Sequence, residues 1–590
     1  MATEYPAEKG HASSTVLKDD QPASKTEDLQ KFEKAHQWDP NLPQEEIKAV
    51  HEAAKSGDIE TILAVDATFS ENSPYDEVRA AVRNTDGEEV ANTVRAWILG
   101  LIFVTVASGL NMFLSMRSPA ISFPSIVVQL LVYPIGCLWA RVVPTKKFRT
   151  FGLEWTFNTG PFTIKEHTII TLMANVSIGY AEYLPINTST TYDNTQSSYN
   201  VTKILGDNFT FNVEKYKSYS PIFLAPTFLL NYGLSFAALT ASIVHVSLFH
   251  GKEIWYRFRA AKNQEPDVHM KMMKKYSEAP DWWYGVLFVL SFALGLGTVL
   301  GYNSQLPCAW WAYVISNIVG FVFIIPTCMI LAITNIGLAL NVLSPFLAGY
   351  MIPGKPIGVM IFKVYSTIVL GQAQTYCADL KLAHYMKVPP KITFWAQVVP
   401  TIWAAIVQIA VMNWTLGNID GVCESSSIVW GVIGPHRMFG PDSLYSSINY
   451  YWLLGGLLPV LFYFIARYSP PSISRFTRLL NAPIMLGAMG WLPPATPLNF
   501  SSWAIVGLIF NHYIRRKWHG WWATYNYVSA AAMDSGLILS TIVIFFAITL
   551  PNVTIPQWWG NVGVFETLDA SYTAIRKTVA EGETFGPSSW

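Results

Sequence analysis

AWILGLIFVTVASGLNMFLS, residues 96–115, decides how this chain folds. These twenty residues carry no charge. A helix of that length, rising about 1.5 Å per residue, just crosses a hydrocarbon core about 30 Å thick. The pattern recurs along the chain, at 122–140, 164–184, 222–250, 283–301, 309–332, 335–352, 357–379, 393–412, 449–466, 480–494, 498–513 and 525–550. Stretch 164–184 is polar at its start, and 480–494 is short and broken by Pro483, Gly487 and Gly490. The expected fold is therefore an all-α polytopic membrane protein of about 13 transmembrane or re-entrant helices, a bundle with broken helices. Such a fold limits function to transport, signalling or intramembrane chemistry.

Composition agrees. Hydrophobic residues make up 51% of the chain and charged ones 14%, against about 25% charged in an ordinary soluble domain. The net charge of zero hides an asymmetry: residues 1–92 hold 20 acidic residues and 9 Lys or Arg. Three regions follow. Residues 1–92 read as a solvated acidic arm, largely disordered. Inside the arm, Ile47, Val50 and Ala54 recur at helical spacing and predict a short amphipathic helix within 44–65. Residues 93–550 form the transmembrane domain, and 551–590 a C-terminal tail. The arm has no apolar signal-peptide core, so the first span is expected to direct insertion.

Basic residues are retained on the cytoplasmic side of a membrane. With the arm inside, the inner loops hold 21 Lys and Arg and the outer loops 6, which supports a cytoplasmic N-terminus. Asn187, Asn200 and Asn208 begin glycosylation sequons in one outer loop, and Asn413 and Asn552 begin others. The five Cys form no C-x-x-C pattern. Cys137, Cys328 and Cys377 lie in apolar runs as buried thiols, and Cys308 and Cys423 leave an outer disulfide open. His245 and His250 are five apart, not the spacing of a helical metal pair, so no metal site is expected.

Candidate functional residues are those that are costly at membrane depth. Asn158-Thr159-Gly160-Pro161-Phe162 breaks the approach to the third span. Free backbone groups survive in hydrocarbon only where protein or water satisfies them, and in transporters such breaks form substrate sites. Asn158, Gly160, Pro161 and Phe162 are therefore candidate substrate contacts; the alternative is a turn that only packs. Asn481 to Pro494 is a second such break. Glu166 and His167 open the third span as candidate proton carriers, because burial and neighbours can tune carboxylate and imidazole near neutrality. Glu166 also reads as a helix-start acid favoured by the macrodipole. Asp534, about nine residues into the last span, costs about 2.5–3.5 kcal/mol to insert, so it is expected to have a partner or a water-filled path and is the third candidate proton carrier. Lys363, Gln372 and Gln374 share a span that ends at Asp379 and Lys381. Lys363 and Gln374 fall three turns apart, so they line one face, unless Lys363 snorkels to an interface; Lys363 and Gln372 are further candidate substrate contacts. No paired aspartates, zinc spacing or strained serine motif sits inside a span, so an enzyme is not expected.

Several stretches, in order, resemble the oligopeptide transporter (OPT) family. They are Ser73-Pro74-Tyr75 with Glu77-Val78-Arg79; Asn158 through His167; Asn231-Tyr232-Gly233-Leu234-Ser235-Phe236; Asp379 through Lys391; Pro493-Pro494-Ala495-Thr496 through Arg516; and the closing Thr584 through Trp590. Two signatures depart from the family pattern. Its Asn-Pro-Gly is Asn158-Thr159-Gly160 here, and its Lys-Ile-Pro-Pro-Arg is Lys387-Val388-Pro389-Pro390-Lys391, which keeps the charge but loses a forked donor. The resemblance marks Asp379, Lys381, Lys387, Pro389, Pro390 and Lys391 as motif or gating positions. It implies proton-coupled uptake of small peptides at the plasma membrane. No cofactor is implied beyond the proton, and no nucleic-acid partner. Glutathione or peptide-like metal chelates are the alternative cargo. A departure in length is also visible. After a stretch like Ala174-Asn175-Val176-Ser177, family members continue through further spans before one like Tyr183-Leu184-Pro185. Here the two abut around Gly179 to Glu182, so a block of helices is missing, which bears on transport competence. A non-transporting nutrient sensor is accordingly the rival from another class.

Overall fold

Long uncharged helices build the structure, a computed structural model that describes residues 44–56 with scattered neighbours among the first 83, then 85–87, 89–115, 123–150, 153–177, 191–197, 199–206, 211–260, 268–302, 308–418, 433–441, 443–470, 473–489, 497–549, 551, 553–562, 566 and 583–586. The chain divides into two units, residues 1–84 with 261–268, and residues 85–260 with 269–590. In the first, the amphipathic stretch forms α1 (Gln44–Ser56). Val50 and Ala53 are buried there with Leu29 and Ile62, and His51 Nδ1 lies 2.8 Å from Glu33 Oε1.

The second unit contains, in order, α2 (Val94–Ser115), α3 (Ser125–Val142), the hairpin β1 (Lys147–Thr150) and β2 (Leu153–Thr156), α4 (Ile164–Ser177), β3 (Thr191–Tyr192), β4 (Phe223–Leu224), α5 (Pro226–Ala260), α6 (Asp281–Gly301), α7 (Trp310–Thr334), α8 (Leu343–Met351), α9 (Pro356–Lys363), α10 (Val369–Tyr385), α11 (Pro390–Asn418), α12 (Tyr450–Tyr468), α13 (Ala482–Met489), α14 (Pro497–Gly507) and α15 (His519–Ile544). A π-turn, Val364–Ile368, joins α9 to α10 without a break, and another, Leu508–Ile514, extends α14. Among the described residues, nine helical stretches are long and apolar enough to cross a membrane. Their outward faces are apolar. On α6 only Gly295 and Val299 are buried, while Phe288, Val289 and Leu294 are exposed. A surface of that kind suits lipid rather than water.

One expected span is interrupted. Asn335 takes a left-handed conformation (φ 57°) and its N–H bonds Leu331 O at 2.8 Å. This caps α7 and ends it, so the expected span 335–352 is helical only over the 9 residues of α8. In α4 the described helix has 14 residues, about 21 Å long, and 178–184 lie outside the described residues. Likewise α13 covers 8 residues of the stretch 480–494, with 490–494 outside the described set. The stretch 498–513 is helical throughout, α14 passing at Leu508 into a π-turn that runs to Ile514.

Two interiors organise the larger unit. One is built by α2, α3, α4 and α11, around Leu99, Val128, Val132, Ile169, Leu172, Met173 and Ala396. The other gathers Phe236, Tyr313, Phe362 and Phe439 from α5, α7, α9 and a short 435–439 helix. Close crossings depend on missing side chains. A Cβ on Gly455 of α12 would come 2.1 Å from Ala237 O of α5, so these backbones meet as small-residue membrane interfaces do.

Beyond the helices, β3 pairs antiparallel with β4, and Tyr199 O–H donates to Ser220 O at 2.9 Å. Asn200 is exposed on this module, and its Oδ1 accepts from Thr202 N at 3.1 Å. The tail returns to the same place. Phe585 N–H donates to Asn194 O at 2.9 Å, and its ring stacks edgewise on Phe223, centroids 5.0 Å apart. Asn187, Asn208, Cys423 and Asn552 lie outside the described residues; Asn413 sits within α11.

Candidate functional site

The start of α4 is fixed by a capping box. Glu166 N–H donates to Thr163 Oγ1 at 3.2 Å, and Thr163 N–H donates back to Glu166 Oε2 at 3.0 Å. This reciprocal pair satisfies two donors that a helix start leaves open. Just upstream, Asn158 staples the turn. Its Nδ2 donates to Ala140 O (2.9 Å) and Val143 O (2.5 Å), carbonyls that the end of α3 leaves free. Its Oδ1 accepts from Gly160 N–H at 3.0 Å. Gly160 has φ of +113° with nothing near its missing Cβ, a backbone state that favours glycine.

Arg95, in the first turn of α2, fills this turn. Its Nη1 donates to Asn158 Oδ1 (3.2 Å) and Gly160 O (2.9 Å). Its Nη2 donates to Thr159 Oγ1 (3.4 Å), Pro161 O (3.1 Å) and Glu166 Oε2 (2.5 Å). Its Nε donates to Glu166 Oε1 at 3.1 Å. The guanidinium lies over the Phe162 ring, 5.4 Å from the centroid, close enough for a cation–π contact. Thr93 completes the set: its O–H donates to Glu166 Oε1 at 2.5 Å, and its Oγ1 accepts Ala96 N–H at 3.1 Å. Neither Arg95 nor Glu166 has any exposed side-chain surface. The fork geometry of Arg matches two carboxylate oxygens at once, and a fully satisfied pair of this kind fixes α2 against α4.

Sequence-predicted residues Asn158, Gly160, Pro161, Phe162 and Glu166 thus converge on one cation. His167 lies alongside, with Nε2 bonded to Gln129 O at 2.9 Å, so that nitrogen carries the proton. Its ring meets Phe162 and Tyr133 edge-on. Lys363 is half-buried at the end of α9, while Gln372 and Asp534 are exposed on α10 and α15. Gln374 Nε2 donates to Leu338 O at 3.1 Å. The wider π-turn Val364–Ile368 delays the helical rotation, which takes Lys363 and Gln374 off the common line that a regular helix would give them. Arg95 is the residue that sequence reasoning missed. The available signal was an Arg directly ahead of an uncharged span.

A second charged cluster sits beside α4. The Lys165 Nζ donates to Asp86 Oδ1 (2.7 Å), Gly87 O (3.3 Å) and the Tyr276 hydroxyl (2.8 Å). That hydroxyl donates to Asp86 Oδ2 at 2.8 Å, which also meets Lys275 Nζ at 2.5 Å. Burial works to raise the Asp86 pKa, but hydrogen bonds from Lys165, Lys275 and Tyr276 and the Lys165 charge outweigh it and hold the carboxyl below its ordinary value.

Asp379, on α10, is buried. Its Oδ1 accepts from Asn175 Nδ2 of α4 at 2.6 Å, and Gln397 of α11 lies within reach of the same carboxyl. Further along, Lys381 Nζ stands 4.5 Å from the Tyr385 ring centroid. Lys387 takes φ of +56°. Val388 N–H bonds Ala383 O (2.9 Å) and Lys387 N–H bonds His384 O (3.3 Å), the two bonds of a Schellman turn. Lys387 Nζ is buried against Tyr385 O (2.8 Å) and His269 Nδ1 (3.1 Å). Pro389 O then accepts Ile392 N–H at 3.0 Å, and Pro390 begins α11, with Lys391 half-buried beside it. The Lys-Val-Pro-Pro-Lys motif is thus a rigid corner between two helices.

Spanning helices that shelter charged clusters from solvent define a multi-pass membrane protein whose ionisable groups lie inside the bundle. The family model described as "OPT oligopeptide transporter protein" matches residues 91–184 and 177–548. The chain belongs to the oligopeptide transporter family, whose members are transporters and not enzymes. It is 33% identical to the sexual differentiation process protein isp4 of Schizosaccharomyces pombe, over 88% of this chain and 92% of that protein. Oligopeptide transporter 5 of Arabidopsis thaliana is 28% identical over 88% of this chain and 97% of its own length. Glutathione transporter 1 of Schizosaccharomyces pombe is 37% identical over 72% of this chain; the match spans 51% of that protein. The isp4 alignment runs over 727 positions, more than the 590 residues here, so part of that relative has no counterpart in this chain. The two segments of the family match meet at 177–184, where the sequence shows the abutting stretches.

Proposed function

We propose that the chain is a proton-coupled importer of small peptides in the plasma membrane, with its acidic arm in the cytoplasm. The observation that carries this reading is the Arg95-filled turn at the head of α4, in a chain whose relatives include proteins named for oligopeptide and glutathione transport. A peptide presents a carboxylate at one end and an amine at the other. The carboxylate competes with Glu166 for Arg95, and the amine competes with Arg95 for Glu166 and the carbonyls of Gly160 and Pro161. Occupation of the turn then costs α2 and α4 their shared anchor, which gives binding a way to drive movement. The coupling ion is a proton. A membrane potential adds about 2.3 kcal/mol per charge per 100 mV to accumulation.

Labelled tetrapeptide and glutathione uptake into vesicles under an imposed pH gradient tests this. Accumulation that grows with external acidity is the expected result; accumulation indifferent to the gradient defeats proton coupling. A second reading rests on the two-segment family match, which leaves out a block of the relatives' helices: a short form that binds peptide and signals without carrying it. Saturable peptide binding with no vesicular accumulation favours that form.

A further inference from the structure

Among the described residues, Asp379 combines near-complete burial with an unused carboxylate oxygen. It is 1% exposed, and its Oδ2 has no hydrogen-bond partner. Gln397, 5% exposed, faces the same carboxyl, with neither Nε2 nor Oε1 in a well-formed hydrogen bond. Three buried polar atoms from two helices therefore stand together without well-formed hydrogen bonds, and burial makes such unmade bonds costly. Such a cost persists where a site has a ligand to take. Of the three expected carriers, Glu166 already holds Arg95, His167 holds Gln129 O, and Asp534 is exposed.

We propose that Asp379 and Gln397 form the binding site for the coupling proton, seated between α4, α10 and α11. This rests on the proton-coupled reading above. In the proposed ionised state Gln397 closes its Nε2–H onto Oδ2, while Asn175 Nδ2–H stays on Oδ1. When a proton from the outer solution binds Oδ2, the new O–H donates to Gln397 Oε1, after the amide turns over. An amide is both donor and acceptor, so the same neighbour satisfies both states. Asn175 holds Oδ1 throughout and ties the carboxyl to α4, the helix that Glu166 anchors to Arg95.

A metal cation fits less well. Hard divalent ions take six or more oxygens, and the amide and carboxyl groups named here offer few. No cation is paired with Asp379 among the described residues. On α4, Lys165 is held by Asp86 and Glu166 by Arg95. On α11, Lys391 lies at the corner with α10. On α7, Tyr313 meets Tyr365 of the π-turn, and Cys328 meets Cys377 of α10. On α10 itself Lys381 covers Tyr385, His384 faces His269, and Tyr376 reaches Tyr284 of α6.

The full-length protein in proteoliposomes, with labelled tetrapeptide, provides the test. The wild type should take up protons together with peptide. Asp379→Asn should lose the proton movement and the gradient-driven accumulation, and retain only exchange of internal for external peptide. Gln397→Leu removes the donor that supports the ionised state, so acid stimulation should shift to higher pH. Asp379→Glu should keep coupling. A responsive wild type with an equally responsive Asp379→Asn overturns this inference alone. A wild type that exchanges peptide but moves no proton overturns it together with the proton-coupled reading. Should Asp379→Asn fail to reach the membrane, an unshifted pH profile in Gln397→Leu overturns the inference instead.

Discussion

Arg95 and Glu166, 71 residues apart in the chain, form a bidentate ion pair with no solvent exposure on either side chain. The pair joins the first long helix to the helix that carries the family's broken-turn motif. Its value lies in placement, because a buried ion pair gains little over a well-packed apolar pair but is costly to break on one side.

Arg95→Ala should therefore destabilise the protein by about 3–5 kcal/mol, because Glu166 is left buried without its cation. Arg95→Lys should be nearly as harmful, since an ammonium cannot reproduce the fork. The double variant Arg95→Met with Glu166→Leu should recover much of the loss. Thermal unfolding in detergent of the wild type, Arg95→Met, Glu166→Leu and the double variant gives the coupling energy directly. Additive losses would show that the two groups do not act as a pair.

Gly160→Ala has room for its methyl group but not the backbone state. With φ at +113° and open space around the Cβ, the cost is conformational, about 1–3 kcal/mol. A melting temperature equal to wild type would refute the assigned turn.

Gly455→Val tests a different kind of contact. The nearest atoms to the added Cβ are the Ala237 carbonyl and Thr240 Oγ1, both at 2.1 Å, and a helix backbone cannot step aside as a side chain can. Overpacking of about 1–3 kcal/mol or more is expected, read as lower folded yield on size-exclusion. The neighbouring Gly456 has nothing within 4 Å, so Gly456→Ala should be tolerated.

Asp86 supplies a pH dependence. Its folded-state pKa lies below the unfolded 3.8. The stabilisation is therefore fully present above that unfolded value and is lost as pH falls through the lower folded one. Melting temperature should hold steady from neutral pH down to mild acid and drop below it. In Asp86→Asn the drop should shrink and the neutral-pH stability should fall, because Lys165 loses its partner. An acid limb identical in both proteins would rule out this cluster as its source.

How much of this was legible depends on the range over which each feature is written. Spans such as α2 and α11 are local: twenty uncharged residues suffice, and they appear where expected. The head of α4 is also local, since Thr163 and Glu166 are three apart and form the capping box. Arg95 was not legible. A cation ahead of an apolar run reads as a boundary residue, and its partners lie more than 60 residues away. Asp379 stood out as part of a motif, but its isolation depends on Asn175, 204 residues earlier. The span over 335–352 failed because hydropathy does not register a left-handed Asn335. The alignment of Lys363 with Gln374 failed because a π-turn alters phase without altering composition.

The contact between Phe585 and the Asn194–Phe223 module has a topological consequence. If the front arm is cytosolic and Asn200 faces the exterior, residues 583–586 must emerge on that far side too. The polypeptide would then cross the bilayer an odd number of times. An epitope inserted beside Glu583 would be stained by antibody on unbroken cells, whereas one placed in α1 would need the membrane opened first.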